Sequence, residues 1–280
     1  MATKNIVETS IVLRSLRFLF RKRSEFLQVR KFKDHNCKYA RQLRRTVEAL
    51  RGRSPARIVV VGNGPSLKMQ NLDLLRNEFT ICTNAFFHAY ENLSWRPTIM
   101  TVEDPLPAAD NADFYNSDNE STKLIQYDLR DIIAESESTA YLNFLRSYTH
   151  WSSRRWPRFS TNVMNCAYWG GTVSFLALQI AATFQPRQII LIGTDLSYIV
   201  PKSAKISGTV ITSTEDDPNH FNPNYFGAGK RWHVPETQRM QRAFEYALQV
   251  LSNESIELLN ATSGGNLRVV PRISYEESFT

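Results

Sequence analysis

The sequence predicts an α/β protein of Rossmann type, with an open, mostly parallel sheet and helices on both faces. Three observations carry that expectation. Short apolar runs of β type alternate with helical patterns along residues 56–280. The runs are nearly continuously apolar, as strands buried on both faces require. The first of them, Ile58–Val61, breaks abruptly into the small, polar turn Gly62-Asn63-Gly64-Pro65-Ser66.

In chain order, residues 1–55 read as a basic helical arm and 56–280 as the Rossmann-like domain. The arm mixes Ile11, Val12, Leu13, Leu16, Phe18, Leu19 and Phe20 with Arg14, Arg17, Arg21, Lys22 and Arg23. Over residues 6–51 that composition suits a basic amphipathic helix on an anionic membrane surface, or equally one packed on the body or on a second copy as a homo-oligomer. Ser54 and Pro55 punctuate the chain before the first strand. Further strands are expected at Phe79–Cys82, Thr98–Val102, Ile189–Ile192 and Ile256–Leu259. Val173–Phe184, rich in Ala and Leu, reads as a buried helix, and Glu236–Leu251 as an amphipathic helix with Pro235 near its start.

Residues 103–165 look less regular. They contain an aromatic and basic patch, Tyr148–Phe159, in which Trp151, Arg154, Arg155, Trp156 and Arg158 suit either an anionic acceptor or plain surface packing. Residues 199–232 form a second long irregular stretch, read as a lid because structureless segments of that length in compact domains usually carry function.

The 280 residues, 42% of them hydrophobic, are enough for a substantial core. Residues 1–55 hold 15 of the 34 Lys/Arg but only 4 of the 27 Asp/Glu, so the basic charge is local and the remainder is slightly acidic. That distribution argues for an anionic partner of the arm and against nucleic acid. Cys37, Cys82 and Cys166 are far apart and have neither disulfide-framework nor zinc spacing, which fits a reducing, cytoplasmic compartment. No apolar run is long enough to span a bilayer, and the first residues lack the order of a cleavable signal.

In open α/β sheets ligands bind beyond the carboxyl ends of strands. Four such ends draw attention: Gly62–Ser66, Thr83-Asn84, Glu103-Asp104 and Gly193-Thr194-Asp195. Gly62 and Gly64 would let backbone approach a ligand closely, and Asn63 and Ser66 offer side-chain hydrogen bonds, although every one of these residues is also an ordinary turn former. Gly170-Gly171-Thr172 precedes a helix, so its amides and the Thr172 hydroxyl suit an anion or simply cap the helix. Asp195 is placed for a ribose hydroxyl, a metal or neighbouring amides. In the lid, His220, Tyr225, Lys230, Arg231 and His233 gather among aromatic residues, where a histidine can take a proton from an acceptor hydroxyl.

The order VGNGPSL, CTNAFF, GGTVSFLALQIAATFQPRQIILIGTDLSY, HFNPNYFGAGKRWHVPE and NATSGGNLRVVPRISYEE resembles the domain called 6-hydroxymethylpterin pyrophosphokinase MptE-like, found also within flagellin-modifying glycosyltransferases. It is similar as well to the bacterial sialyltransferases of glycosyltransferase family 42. The resemblance spans roughly residues 57–275. From the sialyltransferases it implies contacts of Gly62, Asn63, Gly64, Pro65, Ser66 and Asn84 with a CMP-linked sugar donor. Gly170-Gly171-Thr172 departs from the TSG of that family, which leaves backbone contacts at Gly171 and Thr172. Tyr198 and Tyr225 are implied to bind phosphate, and His233, with His220 second, to act as the base, without a metal.

The MptE-like name implies instead transfer of pyrophosphate from ATP to a pterin alcohol, with Mg²⁺ on Asp104 or Asp195. The expectation is therefore a glycosyltransferase using a nucleotide-activated, sialic-acid-like sugar and a glycan or lipid-linked acceptor in surface-polysaccharide or lipopolysaccharide assembly, peripheral on the inner membrane face. The pyrophosphokinase is the alternative, and a non-catalytic nucleotide-binding scaffold the third reading.

Overall fold

The structure is a computed structural model, described over residues 32, 38–53, 55–146 and 156–279. Its elements in chain order are α1 (Lys38–Arg51), β1 (Arg57–Val61), β2 (Phe79–Thr83), β3 (Ile99–Thr101), α2 (Pro105–Asp110), α3 (Ala112–Ser117), β4 (Thr122–Gln126), β5 (Thr139–Leu142), β6 (Phe144–Leu145), β7 (Ala167–Tyr168), α4 (Val173–Ala182), β8 (Gln188–Ile192), β9 (Lys205–Ser207), β10 (Val210–Thr212), β11 (Arg231–His233), α5 (Thr237–Asn253), β12 (Glu257–Asn260) and α6 (Tyr275–Phe279). Short 3₁₀ turns at Pro65–Met69, Leu72–Leu75, Phe86–Asn92 and Tyr127–Leu129 serve as connections.

Seven strands form one sheet in the order β12-β8-β1-β2-β3-β4-β5, and every pairing in it is parallel. This is the open Rossmann-like arrangement the apolar runs predict. Successive residues of β1 point to opposite faces, as strand geometry demands. Ile58 and Val60 pack with Leu43 and Val47 of α1, Phe175 and Leu176 of α4, and Phe244 of α5, whereas Val59 and Val61 pack with Leu67, Leu75, Phe86 and Trp95. One face is thus covered by long α-helices and the other mainly by 3₁₀ turns. Each fully buried aliphatic side chain contributes about 1.5–3 kcal/mol to holding the layers together.

Helix α4 is apolar on all sides because it lies inside: every residue from Ser174 to Ala182 is buried. Its one amide, Gln179, is fully used. It donates to the Tyr168 carbonyl at 2.8 Å and accepts from the Ser160 and Tyr168 backbone N–H groups at 3.0 and 2.9 Å.

Strands β4 and β5 lie in the stretch expected to be irregular. Lys123 and Gln126 interrupt the apolar pattern of β4, yet both are buried. The Lys123 ammonium donates to the Asp118 carbonyl and to Ser138 Oγ, and the Gln126 amide to the Glu103 carbonyl. Polar groups with internal partners can occupy a core, and they erase the signal a sequence reading depends on. The lid likewise holds a small antiparallel sheet, β9-β10-β11, in which Ile211 pairs with Trp232 and both are buried.

Helix α1 buries Leu43, Val47 and Leu50, and Gln42 donates to the Ser136 and Thr139 carbonyls beside β5. Residues 1–31 of the expected arm, and Trp151, Arg154 and Arg155 of the aromatic and basic patch, lie outside the described residues. Among the described residues no helix is long and apolar enough to cross a membrane.

Candidate active site

Strand β1 has β2 on one side and β8 on the other, so connections leaving the carboxyl ends of β1 and β8 diverge and open a crevice. A cleft of about 760 Å³ occupies this position. The loops after the two strands cross closely. Gly62 N–H donates to the Ile192 carbonyl at 2.9 Å and Gly64 N–H to the Gly193 carbonyl at 2.8 Å. A Cβ on Gly62 would stand 2.3 Å from the Gly193 oxygen, and one on Gly64 1.7 Å from Asp195 Oδ2. The glycines are therefore required by the crossing of two protein loops, whatever a ligand adds.

Asp195 is held on several sides. Its carboxylate accepts from Ser66 Oγ at 2.7 Å and from Ser66 N–H at 3.3 Å. Burial pushes its pKa up, and these bonds partly oppose the shift. Its carbonyl accepts from Asn266 N–H at 2.6 Å, and a Cβ on Gly265 would stand 2.7 Å from the same oxygen. Thr262 Oγ1 accepts from Thr194 N–H at 3.1 Å. The segment after β12 thus clamps the segment after β8. Sequence reasoning missed Thr262, Gly265 and Asn266, although Gly264-Gly265 is a signal for backbone at positive φ. The neighbouring Leu196 is itself left-handed at φ 53°, uncommon for a bulky residue.

Asn63 and Asn84 come from the ends of β1 and β2. Asn63 Nδ2 donates to the carbonyl and the hydroxyl of Thr83, at 2.8 and 2.9 Å, and Asn63 O accepts from Phe221 N–H at 2.9 Å, tying the lid to the first loop. Asn84 is left-handed at φ 46° and is fixed by Tyr115 Oη donating to its carbonyl at 2.7 Å. Asn63 Oδ1, Asn84 Oδ1 and Glu103 Oε2 are buried acceptors without partners, and all three residues line the cleft. The two amide oxygens ask for hydrogen-bond donors from whatever fills the cleft. Glu103 is pushed to about 8 by burial, with the nearby Arg146 opposing the rise and Asp104 adding to it.

The lid closes the opposite side. His233, at the end of β11, places Nδ1 2.5 Å from Asp104 Oδ2, and Asp104 Oδ1 caps α2 by accepting from Leu106 N–H at 2.9 Å. The same face of the lid is pinned by Arg231 to Asp110 at 2.8 Å and by Lys230 Nζ to the Asp110 carbonyl at 2.7 Å. His220 is placed differently. Its Nδ1 is 2.6 Å from Asp217 Oδ2, its ring stacks on Tyr225 at 3.8 Å, and its side chain is 11% exposed against 43% for His233. Tyr225 shares hydrogen bonds with the Asn84 side chain and the Ala85 backbone, and burial raises its phenol strongly. Tyr198 is pushed to about 12 by burial, so both phenols stay neutral donors.

Gly171 and Thr172 line the cleft at the start of α4, Gly171 at φ 87°. Thr172 occupies the N-cap position, but its hydroxyl makes no capping bond. The structure thus brings Gly62, Asn63, Gly64, Asn84, Asp104, Gly171, Thr172, Asp195, Tyr198, His220, Tyr225 and His233 to one cleft. Pro65 and Ser66 stand off its wall, with Ser66 supporting Asp195.

Asp104 and Asp195, the alternatives expected for Mg²⁺, each receive hydrogen-bond donors on both carboxylate oxygens. Among the described residues no group of three or more His, Cys, Asp or Glu side chains is placed to hold a metal. Glu103, from the third strand end, and Arg146 and Arg239, which the motifs did not include, also line the cleft.

The family described as 6-hydroxymethylpterin diphosphokinase MptE-like matches residues 33–200. No curated protein matches the chain. Among solved structures, the MAf glycosyltransferase from Magnetospirillum magneticum AMB-1 aligns with a TM-score of 0.43 and 16% identity over 79% of this chain. The alignment covers 34% of that protein, so the chain spans about a third of its length.

Proposed function

The chain belongs to the 6-hydroxymethylpterin diphosphokinase MptE-like family, and we propose that it is a glycosyltransferase that passes a sugar from a nucleotide-activated donor to an acceptor hydroxyl. The donor we favour is a CMP-activated sugar acid of the sialic type, and the acceptor a surface glycan or lipid-linked saccharide. The observation that carries this reading is the His233–Asp104 pair at the cleft mouth. Asp104 occupies Nδ1 and leaves Nε2 to accept the hydroxyl proton, the arrangement a general base needs.

In the proposed step the acceptor oxygen forms its bond to the anomeric carbon as its proton passes to His233 Nε2. The bond from that carbon to the phosphate oxygen breaks, and the nucleotide leaves with the electron pair. Asn63 and Asn84 offer acceptors to the donor's base or sugar, and the neutral Tyr198 phenol suits a phosphate oxygen. Tyr225 and His220 form the packed floor of the lid and position Asn84.

The family description itself supports a second reading, transfer of pyrophosphate from ATP to a pterin alcohol. The same histidine would serve a hydroxyl nucleophile there. Incubating the full chain with CMP-activated sugar acids, and separately with ATP and a pterin alcohol, decides between them. CMP release that His233→Ala abolishes supports the first. AMP release with the second pair sinks it in favour of the kinase, and nucleotide binding without turnover of either leaves a scaffold.

A further inference from the structure

Two arginines line the cleft, and one of them has a buried donor without an acceptor. Arg146 donates from Nη2 to the Glu103 carbonyl at 2.8 Å and to Gln126 Oε1 at 3.1 Å. Arg239, in the first turn of α5, pairs through Nη2 with Glu236 Oε2 at 2.8 Å, while its Nε is buried with no acceptor. Its guanidinium lies 4.8 Å from the Trp169 ring centre, and its side chain is 13% exposed against 54% for Glu236. The stem runs past Gly171, where a Cβ would come within 3.3 Å of Arg239 Cδ. A cation so withdrawn from water, with an unsatisfied N–H and one exposed counter-ion, is completed by an acceptor that reaches both edges of its fork.

Phosphate is the ligand group that fits. A guanidinium binds it bidentately, and the ring beneath Arg239 holds the fork in plane. The opposite wall offers the unpartnered amide acceptors Asn63 Oδ1 and Asn84 Oδ1, which disfavour an anion there. The amide acceptors at the ends of β1 and β2 thus stand apart from the unsatisfied cation at the start of α5.

We propose that Arg239 binds the phosphate of the donor and exchanges its ion pair with Glu236 for the phosphate oxygens. The proposal rests on the nucleotide-donor reading above, and holds for a sugar nucleotide and for ATP alike. His233 and Arg239 sit on one continuous segment joining β11 to α5. Capture of phosphate at Arg239 is thereby linked to the position of the base.

The test is titration calorimetry of the full chain with CMP and cytidine, and with ADP and adenosine. At least one nucleotide should bind about tenfold or more tighter than its nucleoside, as charge-assisted bonds to phosphate require. Arg239→Gln should close that gap, Arg239→Lys should keep part of it, and Glu236→Gln should widen it by removing the competing carboxylate. A gap retained in Arg239→Gln overturns the proposal and leaves the nucleotide reading standing. No gap in the unaltered protein overturns both. If Arg239→Gln does not fold, Glu236→Gln decides, because an unchanged or smaller gap there overturns the exchange.

Discussion

His233 Nδ1 and Asp104 Oδ2 meet at 2.5 Å although 129 residues separate them in the chain. The contact fixes which ring nitrogen faces the cleft, so Asp104 acts on the proposed reaction through orientation. Asp104→Asn should lower turnover by roughly two orders of magnitude with little change in KM for the donor. Steady-state kinetics with saturating acceptor reads this. Equal turnover in the variant would remove Asp104 from the machinery.

Glu103 makes stability depend on pH. Its folded pKa of about 8 lies above the ordinary glutamate value of 4.5, so the folded state holds a proton that the unfolded chain releases. Stability is complete below the unfolded value and is lost as pH rises from about 4.5 to about 8, by on the order of a few kcal/mol. Glu103→Gln should erase this slope, so that its thermal midpoint gains on the parent protein as pH increases. A difference between the two that stays flat across pH contradicts the assignment.

Gly64 and Asp195 should be coupled. Gly64→Ala forces a Cβ into the Asp195 carboxylate and should cost about 1–3 kcal/mol or more. Asp195→Ala removes the nearest obstructing atoms and leaves the Gly193 carbonyl at 2.9 Å, so the double variant should be more stable than the sum of the single effects. A double-mutant cycle by denaturant unfolding gives the sign, and simple additivity rejects the clash.

Asn84 carries two separable costs. Asn84→Ala loses the amide and retains a left-handed backbone, whereas Asn84→Gly loses the amide alone. The glycine variant should be more stable by about 1 kcal/mol. Nucleotide affinity should fall equally in both, as calorimetry would register, and identical stabilities would argue against strain at this position.

Removal of residues 1–31 should leave the domain folded and abolish sedimentation with anionic vesicles. Removal of residues 1–50 should also destabilise the domain, since it deletes the buried Leu43, Val47 and Leu50. Persistent vesicle binding after the shorter truncation would count against a membrane role for the arm.

The five apolar strands and their glycine, asparagine and aspartate ends were legible because continuous apolar runs and strand-end turns are local signals. Lys123 and Gln126 hid β4, since their partners lie in other segments. Residues 6–51 read uniformly as basic, yet Leu43, Val47 and Leu50 of α1 are core. Periodicity reports an apolar stripe without naming what it packs on. The histidines of the lid were legible as candidates, but not their difference: Asp217 lies three residues from His220, whereas Asp104 reaches His233 only through the fold. Arg239 belonged to no motif, and its meaning comes from Trp169, Glu236 and a missing acceptor.

The clamp of Thr262 and Asn266 on the loop after β8 also orders events during synthesis. The ribosome releases the turn after β1 long before β12 exists, and that turn cannot complete its surroundings until the final strand has docked beside β8. A nascent chain halted before residue 257 would carry nearly every proposed ligand-contacting side chain and still lack the support that sets Asp195. Completion of the proposed site thus waits on the synthesis of residues 257–266.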